Sequence, residues 1–189
     1  EDGKEIRKAI KAQSNEYQIF SADYSQVELR VMAHLSGDES LISALNNGED
    51  IHTFTAKNIF NVDNDDMVLP EMRRIAKIVN FGIMYGAGPF RLSQELDIPF
   101  GEAKQIKDAY FQKYQGIEQY IENSKLQIKE TKSVETLLGR KRAVWDSDSQ
   151  NKIRRDAAER MAINMPIQGT AAELSLIHIS EPTRLHCSS

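Results

Sequence analysis

Three constellations in the sequence bring together side chains suited to chemistry. The first is Asp23-Tyr24-Ser25-Gln26-Val27-Glu28-Leu29-Arg30. A carboxylate at the end of a strand can hold Mg²⁺, which takes few protein carboxylates and keeps positions open for substrate phosphates. The same stretch has a structural reading, because Ser25 and Glu28 have the S-x-x-E spacing of a capping box and Asp23 is favourable near a helix N-terminus. The second constellation is Arg73, Lys77, Phe81 and Tyr85, each four residues after the last. Successive members turn by about 40° and the set covers about 18 Å of one helix face. Two cations followed by two rings fit an extended anion with a flat group at its far end, the shape of a nucleoside triphosphate. A solvated cationic face with two half-buried rings is the alternative. Gly82 and Gly86 leave room beside the rings for another backbone or a base. The third constellation is Arg160, Asn164 and Gln168, with Lys152, Arg154 and Arg155 one or two turns earlier. Asn and Gln can hydrogen-bond base edges and the cations suit phosphates, although an exposed polar helix face has the same composition.

Other motifs carry less. Asp63-x-Asp65 lacks the Gly and terminal Glu of a calcium loop and reads as a solvated loop. Gly86-Ala87-Gly88 has Arg91 where a dinucleotide fingerprint needs its third Gly, and no P-loop pattern occurs. One Cys and four scattered His leave no cluster at zinc-ligand spacing. His34 falls on an apolar helical face and reads as structural. His52, after Glu49-Asp50-Ile51, reads by itself as a helix-start residue.

The elements that must position these groups are mostly helical. Residues 15–24 alternate as a strand running into a turn, and Val27 to Leu35 has helical spacing. Pro70, a good first helical residue, opens a helix to Gly86 with the apolar stripe Met72, Ile75, Ala76, Val79 and Ile83. Two more helices span Gly101 to Tyr114 and Ile117 to Lys132. A hairpin follows, with strands Val134 to Leu137 and Ala143 to Trp145 around a basic turn. The last helix runs from near Ser149 through Met165, where Pro166 is expected to kink it. The fold class is α/β (α+β), helix-rich, with few strands. The 189 residues suffice for one domain core or two small ones. The net charge of −4 does not suit a domain held to nucleic acid by charge alone. With no apolar run near 18 residues and no signal peptide, the expectation is a cytoplasmic protein with no membrane partner. The acidic start without Met suggests that residue 1 is a cut end inside a longer chain. Leu174 to Arg184, LSLIHISEPTR, resembles the translation of a transposon-type sequencing adapter, so 174–189 is expected to be a non-native tail holding the single Cys and two of the four His.

Residues 1–173 resemble the bacterial family A DNA polymerases, the DNA polymerase I family. DYSQVELR resembles the family's motif A, RRIAKIVNFGIMYG its motif B on the O helix, and RDAAERMAINMPIQGTAAE the palm helix that contacts primer-template. The resemblance implies part of a right-hand polymerase: a palm segment at 1–37, helical fingers at 38–133 and a return to the palm at 134–173. It implies that Asp23, with the Tyr24 carbonyl, binds two catalytic Mg²⁺ ions. Gln26 and Glu28 would meet the incoming dNTP, Glu28 as a steric gate against a ribose 2′-OH and hydrogen-bonded to Tyr85. Arg73, Lys77 and His52 would hold the triphosphate, Arg73 and Lys77 also acting in catalysis, while Phe81 packs on base and sugar. Tyr85 and Gly86 would sit at the template, and Arg160, Asn164 and Gln168 on the minor-groove side of primer-template.

The implied reaction is two-metal phosphoryl transfer from dNTPs to a primer 3′-OH in replication or repair. The parent would be a monomeric bacterial DNA-directed DNA polymerase at the nucleoid. The family's second metal-binding carboxylate lies in a downstream His-Asp-Glu motif absent from this chain, so the chain alone is expected to be inactive. A single-subunit RNA polymerase and a non-catalytic nucleic-acid-binding module are the alternatives. Glu28 and the Phe81-Gly82 pair speak against the first, and the intact Asp23, Arg73 and Lys77 against the second.

Overall fold

A computed structural model describes residues 9–14, 16–18 and 24–180, with side chains through 177. Asp23 and most of the strand expected over 15–24 lie outside the described residues. Eight helices and one hairpin occur among those described: α1 Val27–Ser36, α2 Glu39–Asn46, α3 Ile51–Phe60, α4 Pro70–Met84, α5 Pro89–Leu96, α6 Phe100–Lys113, α7 Gln115–Thr131, β1 Ser133–Glu135, β2 Lys141–Ala143 and α8 Lys152–Ser180. The helix-rich expectation holds.

Helix α4 forms where the sequence pattern places it. Pro70 occupies its first turn, and Ala76, Val79 and Ile83 turn into the core. It stops at Tyr85 because Gly86 takes a left-handed φ of 73° that side chains rarely adopt. Helix α3 packs against α4, α5 against α6, and α8 against both α1 and α7. One core unites these helices around residues such as Leu29, Met32, Ile51, Leu92, Ile117 and Ile167. Each such side chain contributes about 1.5–3 kcal/mol through burial. A smaller cluster, Ile128, Val134, Val144, Ala158 and Ala162, joins the hairpin to α7 and α8.

Asp38 ties two distant junctions together. Its Oδ1 accepts from the Leu41 N–H at 2.9 Å, capping α2. Its Oδ2 accepts from the Gly116 N–H at 2.9 Å, at the start of α7. A Cβ on Gly116 would lie 2.8 Å from the Asp38 Cα, so the approach needs glycine.

Several expectations change. There is no capping box at Ser25 and Glu28. Helix α1 begins at Val27, and its N-cap Gln26 is left-handed (φ 55°) with no side-chain cap bond. Glu28 is drawn instead to a partner on α4. The strands pair Val134 with Arg142 and end earlier than 134–137 and 143–145. The reason is local: the Thr136 N–H donates to the Arg140 carbonyl, and the Gly139 N–H to the Thr136 carbonyl, both at 3.0 Å, closing the turn at Thr136. Trp145 then enters a 3₁₀ turn, Trp145–Asp148. Helix α8 continues through Pro166 instead of ending there. Buried Ile163, Ile167 and Thr170 anchor it on both sides of the proline, offsetting one missing N–H. His34 is exposed, so the apolar face of α1 lies elsewhere, on Leu29, Met32 and Ala33. Helix α5, absent from the sequence reading, starts at Pro89 and buries Leu92 and Leu96.

Candidate active site

Two faces meet near the C-terminal end of α4. The first is the exposed side of α4 with the N-terminal end of α3. Asp50 caps α3, its Oδ1 accepting from the Thr53 N–H at 2.9 Å. Its Oδ2 accepts from Arg73 at 2.6 Å, fixing one cation of the α4 series beside α3. Burial pushes the Asp50 carboxyl up, but the hydrogen bonds from Arg73 and Thr53 outweigh it and hold the group below its ordinary value. Lys77, one turn on, is exposed and has no ion-pair partner among the described residues. His52 is 6% exposed, and its ring lies 5.7 Å from that of Phe81. Burial holds its imidazole below the ordinary range; Asp50 opposes this, and Arg73 and Lys77 reinforce it. The His52 ring is therefore neutral at pH 7.

The rings continue along α4, with Phe81 and Tyr85 stacked at 6.1 Å and 29° between planes. The Tyr85 hydroxyl donates to Glu28 Oε2 at 2.7 Å, joining the end of α4 to the start of α1. Burial and this carboxylate push the phenol above its ordinary range, with Gln168 pulling the other way. Around this bond Tyr24, Gln26, Glu28, Phe81, Gln168 and Ala172 line an open groove. Helix α4 and the starts of α1 and α3 thus bring Gln26, Glu28, His52, Arg73, Lys77, Phe81 and Tyr85 onto one continuous strip. Tyr24 stands at its edge, and Asp23 lies outside the described residues.

The second face belongs to α8. Arg160 approaches Gly86 so closely that a Cβ there would be 3.3 Å from the Arg160 Cα and 3.1 Å from its Cγ. The room left at Gly86 is taken by another helix backbone, and that at Gly82 by Leu92 of α5. Asn164 and Gln168 line a separate groove with Arg140, Lys141 and Arg142 of the hairpin. There Asn164 Oδ1 is buried without a hydrogen-bond partner. Gln168 alone of the three belongs to both grooves.

Sequence reasoning missed Asp50, the partner of Arg73, and the buried Asn80 behind His52. A short N-cap residue before Ile51 signals a cap, but nothing in one dimension pairs it with a cation 23 positions on. The basic hairpin turn is visible in the sequence, but the place of Arg140, Lys141 and Arg142 opposite Asn164 requires the folded hairpin.

Residues 1–184 match the family described as DNA polymerase family A. The chain is 49% identical over 172 residues to the thermostable DNA polymerase I of Thermus thermophilus, covering 91% of this chain and 20% of that protein. It is 47% identical over 174 residues to DNA polymerase I of Bacillus subtilis, covering 92% and 20%. The polymerase domain of Pol1 from M. smegmatis, solved in complex with DNA primer-template and dNTP, superposes with a TM-score of 0.79 at 43% identity, over 83% of this chain and 28% of that one. The chain thus spans about a fifth of the length of the curated relatives it matches. With the family match covering nearly the whole sequence, this chain belongs to DNA polymerase family A.

Proposed function

We propose that these residues form the nucleotide-binding part of a DNA-directed DNA polymerase. The enzyme adds deoxynucleotides from dNTPs to a primer 3′-OH, with the template base choosing the nucleotide. The observation that carries this reading is the strip from Arg73 to Glu28, which orders cations, rings and a carboxylate as a dNTP orders phosphates, base and sugar. Arg73, Lys77 and His52 face the triphosphate and offset its charge as the primer oxygen attacks the α-phosphorus and pyrophosphate leaves. Phe81 supplies a flat apolar surface beside base and sugar. Glu28, held by Tyr85, fills the space a ribose 2′-OH would need and presents an acceptor already in use. A ribonucleotide enzyme has no reason for that gate. Arg160, Asn164, Gln168 and Gly86 belong to the primer-template side, where Asn164 and Gln168 can reach base edges in the minor groove.

DNA polymerases of this family use metal ions, and the resemblance assigns two Mg²⁺ to Asp23 and the Tyr24 carbonyl. Among the described residues no three His, Cys, Asp or Glu side chains come together to hold a metal. The division into palm (1–37), fingers (38–133) and returning palm (134–173) is part of the same proposal, as are a monomeric parent and a bacterial cytoplasmic setting. A foreign origin for 174–189 belongs to the same proposal.

The test is a chimera in which residues 1–173 replace the matching segment of the B. subtilis DNA polymerase I. Primer extension with dNTPs is expected, and Glu28→Ala should raise ribonucleotide incorporation. A folded chimera without primer extension would contradict the polymerase reading, and unchanged sugar discrimination would remove the gate from Glu28.

A further inference from the structure

Behind the cationic face, His52, Asn80, Thr55 and Tyr114 form one buried line across α3, α4 and the end of α6. Asn80 Nδ2 lies 3.1 Å from His52 Nδ1. Thr55 Oγ1 lies 3.1 Å from Asn80 Oδ1 and 2.9 Å from the Tyr114 hydroxyl. Asn80 and Tyr114 are each 1% exposed and Thr55 is fully buried, so bulk solvent does not reach the line. Distances alone fit two directions, because an Asn amide can be turned over and a neutral imidazole can carry its proton on either nitrogen.

Tyr114 breaks the tie. Among the described residues, Thr55 is the only hydrogen-bond partner of its hydroxyl. If the hydroxyl accepted from Thr55, its own proton would be buried without an acceptor, at a cost of about 1–3 kcal/mol. Donation leaves only a lone pair unused. Burial also holds this phenol well above its ordinary pKa, so the proton is always present. With Tyr114 donating, the Thr55 proton goes to Asn80 Oδ1 and the Asn80 amide donates to His52 Nδ1. Nδ1 is then an acceptor, and the proton of the neutral ring sits on Nε2, the nitrogen turned away from Asn80.

We infer that Tyr114, Thr55 and Asn80 are positioning residues that fix His52 as the Nε2–H tautomer. Its consequence rests on the proposed triphosphate reading: a neutral His52 serves an anion at Arg73 and Lys77 only by donating, and the opposite tautomer would present a lone pair to it. The line reaches from the core to the site, so a residue that touches no ligand decides whether His52 is a donor.

The tautomer can be read directly in the uniformly ¹⁵N-labelled 189-residue chain at neutral pH, by long-range ¹H–¹⁵N correlation, with His52→Gln assigning the signals. Expected are a bare, downfield Nδ1 and a protonated, upfield Nε2 at His52. Tyr114→Phe keeps the ring volume and removes only the starting donor, so the second tautomer should appear. Affinity for inorganic tripolyphosphate should then fall by up to roughly tenfold, the loss of one hydrogen bond to a charged partner. A protonated Nδ1 in the unmodified chain overturns the inference without recourse to any variant, as does an unchanged tautomer population in folded Tyr114→Phe. The expected tautomers without tripolyphosphate binding uphold the relay and sink the triphosphate reading instead.

Discussion

The α4 face and the α8 face differ in how far the protein itself already pairs their polar groups. Along α4 nearly every polar group already has a protein partner: Arg73 has Asp50, Tyr85 has Glu28, His52 has Asn80. Of this series, Lys77 alone makes no ion pair among the described residues. Across α8 the pairing is incomplete: Arg140 has Glu173 and Lys141 has Glu135, but other groups are left open. Asn164 Oδ1 is buried and unpartnered, and Arg142 on the opposite wall makes no ion pair among the described residues. The first face is pre-organised, so little ordering remains for its ligand to impose. The second carries unspent hydrogen-bonding capacity, which costs stability in the free protein.

The largest expected effect breaks the first face at Lys77, which has no ion-pair partner among the described residues. In the chimera described above, Lys77→Ala should lower kcat/KM for dNTPs on the order of a hundredfold, as for other removed donors to developing charge. Steady-state primer extension measures it, and an effect below a few-fold would show that Arg73 and His52 suffice. The next concerns the frame of the second face. A Cβ on Gly169 would lie 2.5 Å from Thr136 Cγ2 of the hairpin turn. Gly169→Ala should therefore destabilise the 189-residue chain by about 1–3 kcal/mol in urea unfolding, a cost of overpacking.

Asn164→Leu separates ligand from fold. Removing an unsatisfied buried oxygen should leave the urea midpoint of the chain unchanged or higher, while primer-template affinity of the chimera falls by roughly tenfold. A drop in both would mean that Asn164 is a structural residue. The smallest effect is a pH dependence on the first face. The folded pKa of His52 lies below the unfolded value of 6.5, so the unfolded chain binds more protons there. Stability is at its full value above pH 6.5 and declines as pH falls from there toward the folded pKa. His52→Gln should flatten the slope of the urea midpoint over that window, and an unaltered slope would exclude His52 as its source.

Much of this was legible in one dimension because helical periodicity is a local property. The i+4 series Arg73, Lys77, Phe81, Tyr85 lies along α4 as its spacing requires, and Pro70 marks the helix start. The errors arose where a distant contact outweighs a local signal. Ser25 and Glu28 have capping-box spacing, yet Glu28 bonds to Tyr85, 57 residues away. Pro166 is a local breaker, yet buried neighbours on both sides hold α8 together. Asp38 caps α2 locally and also accepts from the N–H of Gly116, 78 residues on.

The sequence by itself determined which residue types could bind a nucleotide, the helix faces they occupy and the family to which the chain belongs, since spacing and motif are properties of the chain. Tertiary structure alone decided the pairing: that Asp50 holds Arg73, that Arg160 fills the space at Gly86, and that Tyr114 faces His52 through Thr55 and Asn80. Hydrogen bonds and close packing act over a few ångströms of space, whatever the number of residues between, so only the folded chain specifies them.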